Sequence, residues 1–137
     1  MNVAMKLRKK GMIVTEYENK GRDYRKLWFE SFFETIDVSN HNRTNFLWEW
    51  FHTQNIPFRK GKEANQAFEK VNKQYCFIFF QESNDVLKVE YASEMKAKDL
   101  CNEVGEYSDV YIVDKGFNWT YVVPHEKEEY GPYFYRK

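Results

Sequence analysis

Aromatic rings set the terms on which this chain folds. Its 137 residues include 12 Phe, 10 Tyr and 4 Trp, 19% of the sequence. The mean hydropathy of −0.80 understates the apolar content, because hydropathy scales score Tyr and Trp as weakly polar although each buries a large apolar area. The core is therefore expected to be built from Phe, Tyr and Trp more than from Leu and Ile. The alternative is that some rings lie outside and contact a partner. A chain of this length is expected to be one domain. It can bury roughly two thirds of its unfolded surface, so neither a disulfide nor a metal is needed to fold it.

Periodicity changes along the chain. Met12 to Tyr17 reads as a strand, because Ile13, Val14 and Thr15 are β-branched. Asp23 is a plausible N-cap for a helix to about Ile36, with Tyr24, Leu27, Trp28 and Phe32 on one face and a narrow polar edge. A second helix is expected from Asn42 or Thr44 to near Thr53, and a third over Glu63 to Val71. Tyr75 to Gln81 then reads as a buried strand, and Val86 to Tyr91 as a half-exposed one. Ser93 is placed at the start of a short helix through Leu100. Asp109 to Asp114 and Trp119 to Val123 flank a four-residue turn and predict a hairpin. Gly131-Pro132 leads into a last strand, Tyr133 to Tyr135, expected at an edge. Helices first and strands last favour an α+β fold, an antiparallel sheet with helices on one face. Residues 1–10 are expected to form a flexible basic arm.

Several function classes lose support at this stage. Basic and acidic residues balance at 21 each, which gives no general field toward nucleic acid. Only the Lys6 to Lys10 arm offers a local one, and it is not interleaved with rings. The N-terminal apolar run is too short for a signal peptide, and no stretch approaches a membrane span. The reading therefore places the chain in the cytoplasm. Cys76 and Cys101 form no CxxC pair, so each is expected as a reduced thiol. No histidine spacing suits a metal and no glycine-rich loop suits a phosphate. No cofactor is expected.

The blocks Cys76 to Ser93, Lys96 to Leu100, Asp109 to Glu126 and Gly131 to Lys137, with the LWEWF run at Leu47 to Phe51, resemble a bacterial family of small proteins, domain-of-unknown-function family 4275. The resemblance implies a bacterial source and a stand-alone domain, and it implies no activity. The hairpin ending in His-Glu is also similar to endings of small bacterial proteins linked to toxin immunity.

Two site readings follow. One is chemical: His125, Glu126 and Asp114 are candidates for acid–base work, since imidazole titrates near neutrality. The hairpin register keeps Asp114 near the turn and away from His125, and the plainer alternative is a strand-end histidine. The other is a binding surface formed by Trp50, Phe51, Tyr133 and Tyr135, with Trp50 and Phe51 expected exposed and the last strand able to pair with another chain. Absent any preset catalytic spacing, a protein-binding module with an aromatic surface is favoured over an enzyme, and nucleic acid ranks last.

Overall fold

The central strands carry apolar side chains at successive positions, and this builds a sheet that is apolar on both faces. The structure is a computed structural model, and it describes residues 2–33, 47–53, 56–100, 109–125 and 131–137. Its strands are β1 (Ile13–Tyr17), β2 (Arg59–Lys60), β3 (Tyr75–Phe80), β4 (Val86–Glu90), β5 (Val110–Asp114), β6 (Trp119–Val123) and β7 (Tyr133–Arg136). They form one sheet in the order β1-β4-β3-β5-β6-β7-β2. Every described pairing is antiparallel. Side chains alternate across a strand. In β3, Cys76 and Ile78 therefore face one way while Phe77 and Phe79 face the other. All five residues of β6 are buried, which requires cover on both sides.

The helices are α1 (Val3–Lys9), α2 (Gly21–Phe33), α3 (Trp50–Thr53) and α4 (Lys62–Lys70). On one face lie Leu7 of α1 and Ala64 and Phe68 of α4, packed with Cys76, Ile78, Ile112 and Tyr121. Phe68 stacks on Tyr121 at 4.2 Å between ring centroids. On the other face lie Trp28, Phe32 and Phe33 of α2, with Trp48 and Phe51, against Phe79, Tyr111, Val113 and Val122. Trp28 is fully buried. Its indole donates to Thr120 Oγ1 at 2.8 Å, and that hydroxyl donates to the Ile112 carbonyl at 2.9 Å. The indole nitrogen is thus satisfied inside the core, as burial of a polar atom demands.

The α+β class and the antiparallel sheet are as the sequence predicts, but the helical cover lies on both faces rather than one. The strands are apolar on both sides, so one covered face would leave a sheet of rings in water. Residues 2–10, expected as an arm, form a capped helix packed on the sheet. Asn2 caps α1 by accepting from the Met5 amide at 2.9 Å, and Val3, Ala4 and Leu7 are buried. Arg8 donates to the Val14 carbonyl at 2.8 Å, and Lys10 pairs with Asp99 at 2.7 Å. The helix expected from Ser93 to Leu100 is two 3-10 turns, Ala92–Glu94 and Ala97–Leu100. The last strand is not the edge: β2 pairs with Tyr133 and Phe134 of β7. The start of the second expected helix lies outside the described residues, which resume with a 3-10 turn at Leu47–Glu49.

Candidate functional site

The residues singled out for acid–base work separate in space. Asp114 closes the β5–β6 turn, accepting from the amides of Asn118 at 2.6 Å and Trp119 at 3.0 Å. His125 lies past the other end of β6, where Val123 pairs with Val110. The four residue steps from Val110 to Asp114 put about 14 Å between the two ends. Glu126 lies outside the described residues. The carboxylate that His125 meets is Asp109, just before β5. Its Oδ1 accepts from the His125 amide at 2.6 Å and lies 2.7 Å from the imidazole Nδ1. Asp109 is fully buried, and its Oδ2 has no hydrogen-bond partner among the described residues. The hairpin register carries this pairing: extending Val110↔Val123 by one step sets Asp109 opposite Pro124, beside His125.

The rings expected at the surface are mostly interior. Trp50 is 4% exposed and Phe51 1%. Phe51 of α3 stacks on Tyr133 at 5.0 Å and meets Trp28 edge-on at 5.9 Å. Tyr133 is fully buried, with its hydroxyl 2.5 Å from His52 Nε2. Tyr135 is half-buried against Phe32. Burial lowers the His52 pKa, and Lys60 adds to the effect. Tyr111 is also interior. Its hydroxyl donates to Gln81 Oε1 at 2.5 Å and accepts from the Trp48 amide at 3.2 Å. Burial and the nearby Asp109 raise its pKa well above 10.0.

Solvent reaches the rings elsewhere. α2 covers its sheet face unevenly. Past its N-terminal half, toward β1, the register puts Tyr17, Tyr75, Phe77 and Lys88 on one side of the sheet. Together with Lys20, Asp23, Tyr24 and Leu27 they line a concavity of about 400 Å³. Tyr24 meets Phe77 at 5.1 Å and Phe117 at 6.1 Å, and Tyr75 meets Phe77 edge-on at 5.4 Å. All these rings are half-buried, and Leu27 is 44% exposed. The Lys88 ammonium stands 5.9 Å from the Tyr17 ring and 5.8 Å from the Tyr75 ring, and Lys115 lies 5.3 Å from Tyr75. The Tyr17 hydroxyl and Glu90, at 3.3 Å, raise the Lys88 pKa. Burial raises that of Tyr24, followed by the neighbouring phenols of Tyr17 and Tyr75. Phe117 sits at φ 53°, in the left-handed region, where a side chain costs about 1 kcal/mol. That conformation accompanies a ring turned onto Tyr24.

Sequence reasoning missed this shelf although half its signal was present. Alternation places Tyr17, Tyr75, Phe77 and Lys88 on one face once the strands are paired. The missing half is tertiary: only the path of α2 shows which part of that face stays open.

Other reactive groups are enclosed. Cys76 is fully buried and its thiol is pushed up to about 12 by burial, far from the thiolate a nucleophile needs. Cys101 and His41 lie outside the described residues. Among the described residues, no three His, Cys, Asp or Glu side chains converge as a metal set. No helix among them is long and apolar enough to cross a membrane. Compared with known proteins, residues 1–134 match the model of one family, described as Domain of unknown function (DUF4275). No curated protein and no solved structure matches the chain.

Proposed function

This chain belongs to the domain of unknown function 4275 family, and from that premise we propose that it is a binding protein that docks an acidic protein segment on the tyrosine and lysine shelf. The observation that carries the reading is the interleaving of half-exposed rings with cations at one place. Tyr17, Tyr24, Tyr75, Phe77 and Phe117 alternate there with Lys20, Lys88 and Lys115, beside the carboxylates Asp23 and Glu90. Tyrosines supply large rigid contact area at low entropy cost, and anchors of this type carry much of the energy of protein interfaces. With Lys88 paired to Glu90, Lys20 and Lys115 outnumber Asp23 by one charge, which favours an anionic partner and speeds its approach. The exposed Leu27 extends the contact with an apolar edge. An immunity-type role would use such a surface, with a toxin as the partner.

The test compares the chain with its Tyr75→Ala and Lys20→Glu/Lys115→Glu variants. Each is used to capture proteins from a bacterial lysate, and the captured protein is then rebound in purified form. One acidic protein bound by the native chain and lost by both variants is the expected result. Equal capture by all three would refute the shelf.

A second reading rests on the Asp109–His125 pair. A buried carboxylate that fixes an imidazole through Nδ1 is the orienting half of a general-base arrangement. That reading makes the chain a small-molecule binder or enzyme. A ligand-observed NMR screen of metabolite mixtures tests it: hits that persist unchanged in His125→Asn remove its support.

A further inference from the structure

At the far edge of the sheet, on the face opposite the shelf, α4 and strands β2 and β7 enclose a second groove of about 370 Å³. Phe134, Ala67 and Val71 form its apolar floor. Arg59, Arg136 and Lys70 stand around it, with Glu63 and Gln66 completing the rim.

The register fixes how the two guanidiniums meet. Arg59 pairs with Phe134, and Arg136 follows two residues later, so all three side chains share one face. Such diagonal neighbours lie about 7–8 Å apart. That gap suits two long forked side chains closing on a single anion. Lys70 reaches the groove from the last turn of α4. Among the described residues, none of the three cationic head groups is taken up by an ion pair or hydrogen bond. Three cations against Glu63 leave an excess of two positive charges.

We propose that this groove binds a small phosphorylated ligand, with the phosphoryl group between Arg59 and Arg136 and the apolar body over Phe134. A phosphate monoester carries a charge of about −1.5 to −2 at neutral pH, which matches the excess. A single carboxylate leaves half of it uncompensated. Guanidinium forks fit phosphate oxygens bidentately, whereas Lys70 acts as a point charge. The volume lies in the range of small-molecule sites. The proposal stands on residues separate from the shelf and survives if the shelf fails.

Phenyl phosphate, which joins the two chemistries in one probe, tests it on the full chain by amide NMR. Saturable shifts are expected at Arg59, Lys70, Phe134 and Arg136, with benzoate and inorganic phosphate each binding more weakly. Arg59→Gln and Arg136→Gln are each expected to weaken phenyl phosphate about tenfold or more, the scale of a charged hydrogen bond. Arg136→Lys should fall between. Both positions are exposed, so these variants keep the fold. Absence of saturable shifts, equal binding of benzoate, or unchanged affinity in the double Gln variant would overturn the assignment. Tighter binding of a single-stranded oligonucleotide at the same resonances would also overturn it, because the groove would then be a nucleic-acid contact.

Discussion

Two buried residues show how far position overrides side-chain type. Cys76 reads as a small hydrophobe in the sequence, and burial holds its thiol at about 12. In a Cys101→Ser background, its alkylation at pH 8 should therefore proceed only at the rate of unfolding. Rapid labelling of the native protein would contradict that burial. Lys73 is harder to read. It is 2% exposed, with its amine 3.3 Å from the Glu69 carbonyl and 4.8 Å from the Phe68 ring centroid. Burial lowers its pKa from 10.5. The unfolded chain therefore keeps this proton to higher pH than the folded one. The contribution of Lys73 to stability rises with pH between the depressed value and 10.5. Below that window the buried ammonium is a standing cost. Lys73→Met keeps the stem and removes the charge, so a gain on the order of 1 kcal/mol in urea unfolding at neutral pH is expected. A loss would mean that the ring and carbonyl contacts outweigh desolvation. No sequence pattern marks Lys73 as interior, because it lies between α4 and β3 in a stretch without period. His125 was legible as a candidate, and its partner Asp109 is the first residue of the expected hairpin strand, which the register sets opposite Pro124.

Among the elements, those with a strong local pattern were legible. The β5–β6 hairpin, β3 and α4 fall where alternation, apolar run and helical spacing put them. β2 was not, because a two-residue strand has no period of its own and exists only through its pairing with β7. α2 was legible as a helix, but its docking depends on a glycine with no obvious role in the sequence. The Gly21 amide donates to the Asn84 carbonyl at 2.8 Å, and Arg25 donates to the carbonyls of Phe80 at 3.0 Å and Ser83 at 2.7 Å. These bonds hold the start of α2 against the β3–β4 turn. A Cβ at residue 21 would lie 2.5 Å from the Ser83 oxygen and 2.8 Å from the Asn84 Cα. Both atoms are backbone and cannot swing aside. Gly21→Ala is expected to cost about 2 kcal/mol in thermal or urea unfolding. It should also displace Tyr24 and Leu27 from the shelf. A neutral substitution would show that α2 is not seated on that turn.

The whole molecule is a sheet apolar on both faces, and it uses its rings as cover as well as core. That answers why 19% aromatic content is compatible with a charge-balanced chain of this size. Sequence alone gave the class of the fold and the interior destination of most rings. It could not give the two-sided cover, because helices that pack on opposite faces carry the same local pattern as helices that share one. Nor could it separate the buried Trp50, Phe51 and Tyr133 from the half-exposed Tyr17, Tyr24 and Tyr75, since that difference is set by where α2 and α3 lie. That division of rings between interior and shelf decides where a partner can dock. It is tested most directly by placing a photo-reactive benzoylphenylalanine at Leu27, on the rim of the shelf, and at Met5, 49% exposed on α1, and irradiating both in the host lysate. Cross-linking of one acidic protein from position 27, absent from position 5 and suppressed by Lys20→Glu/Lys115→Glu, is the expected result. The same adducts from both positions, or adducts indifferent to the charge reversal, would contradict it.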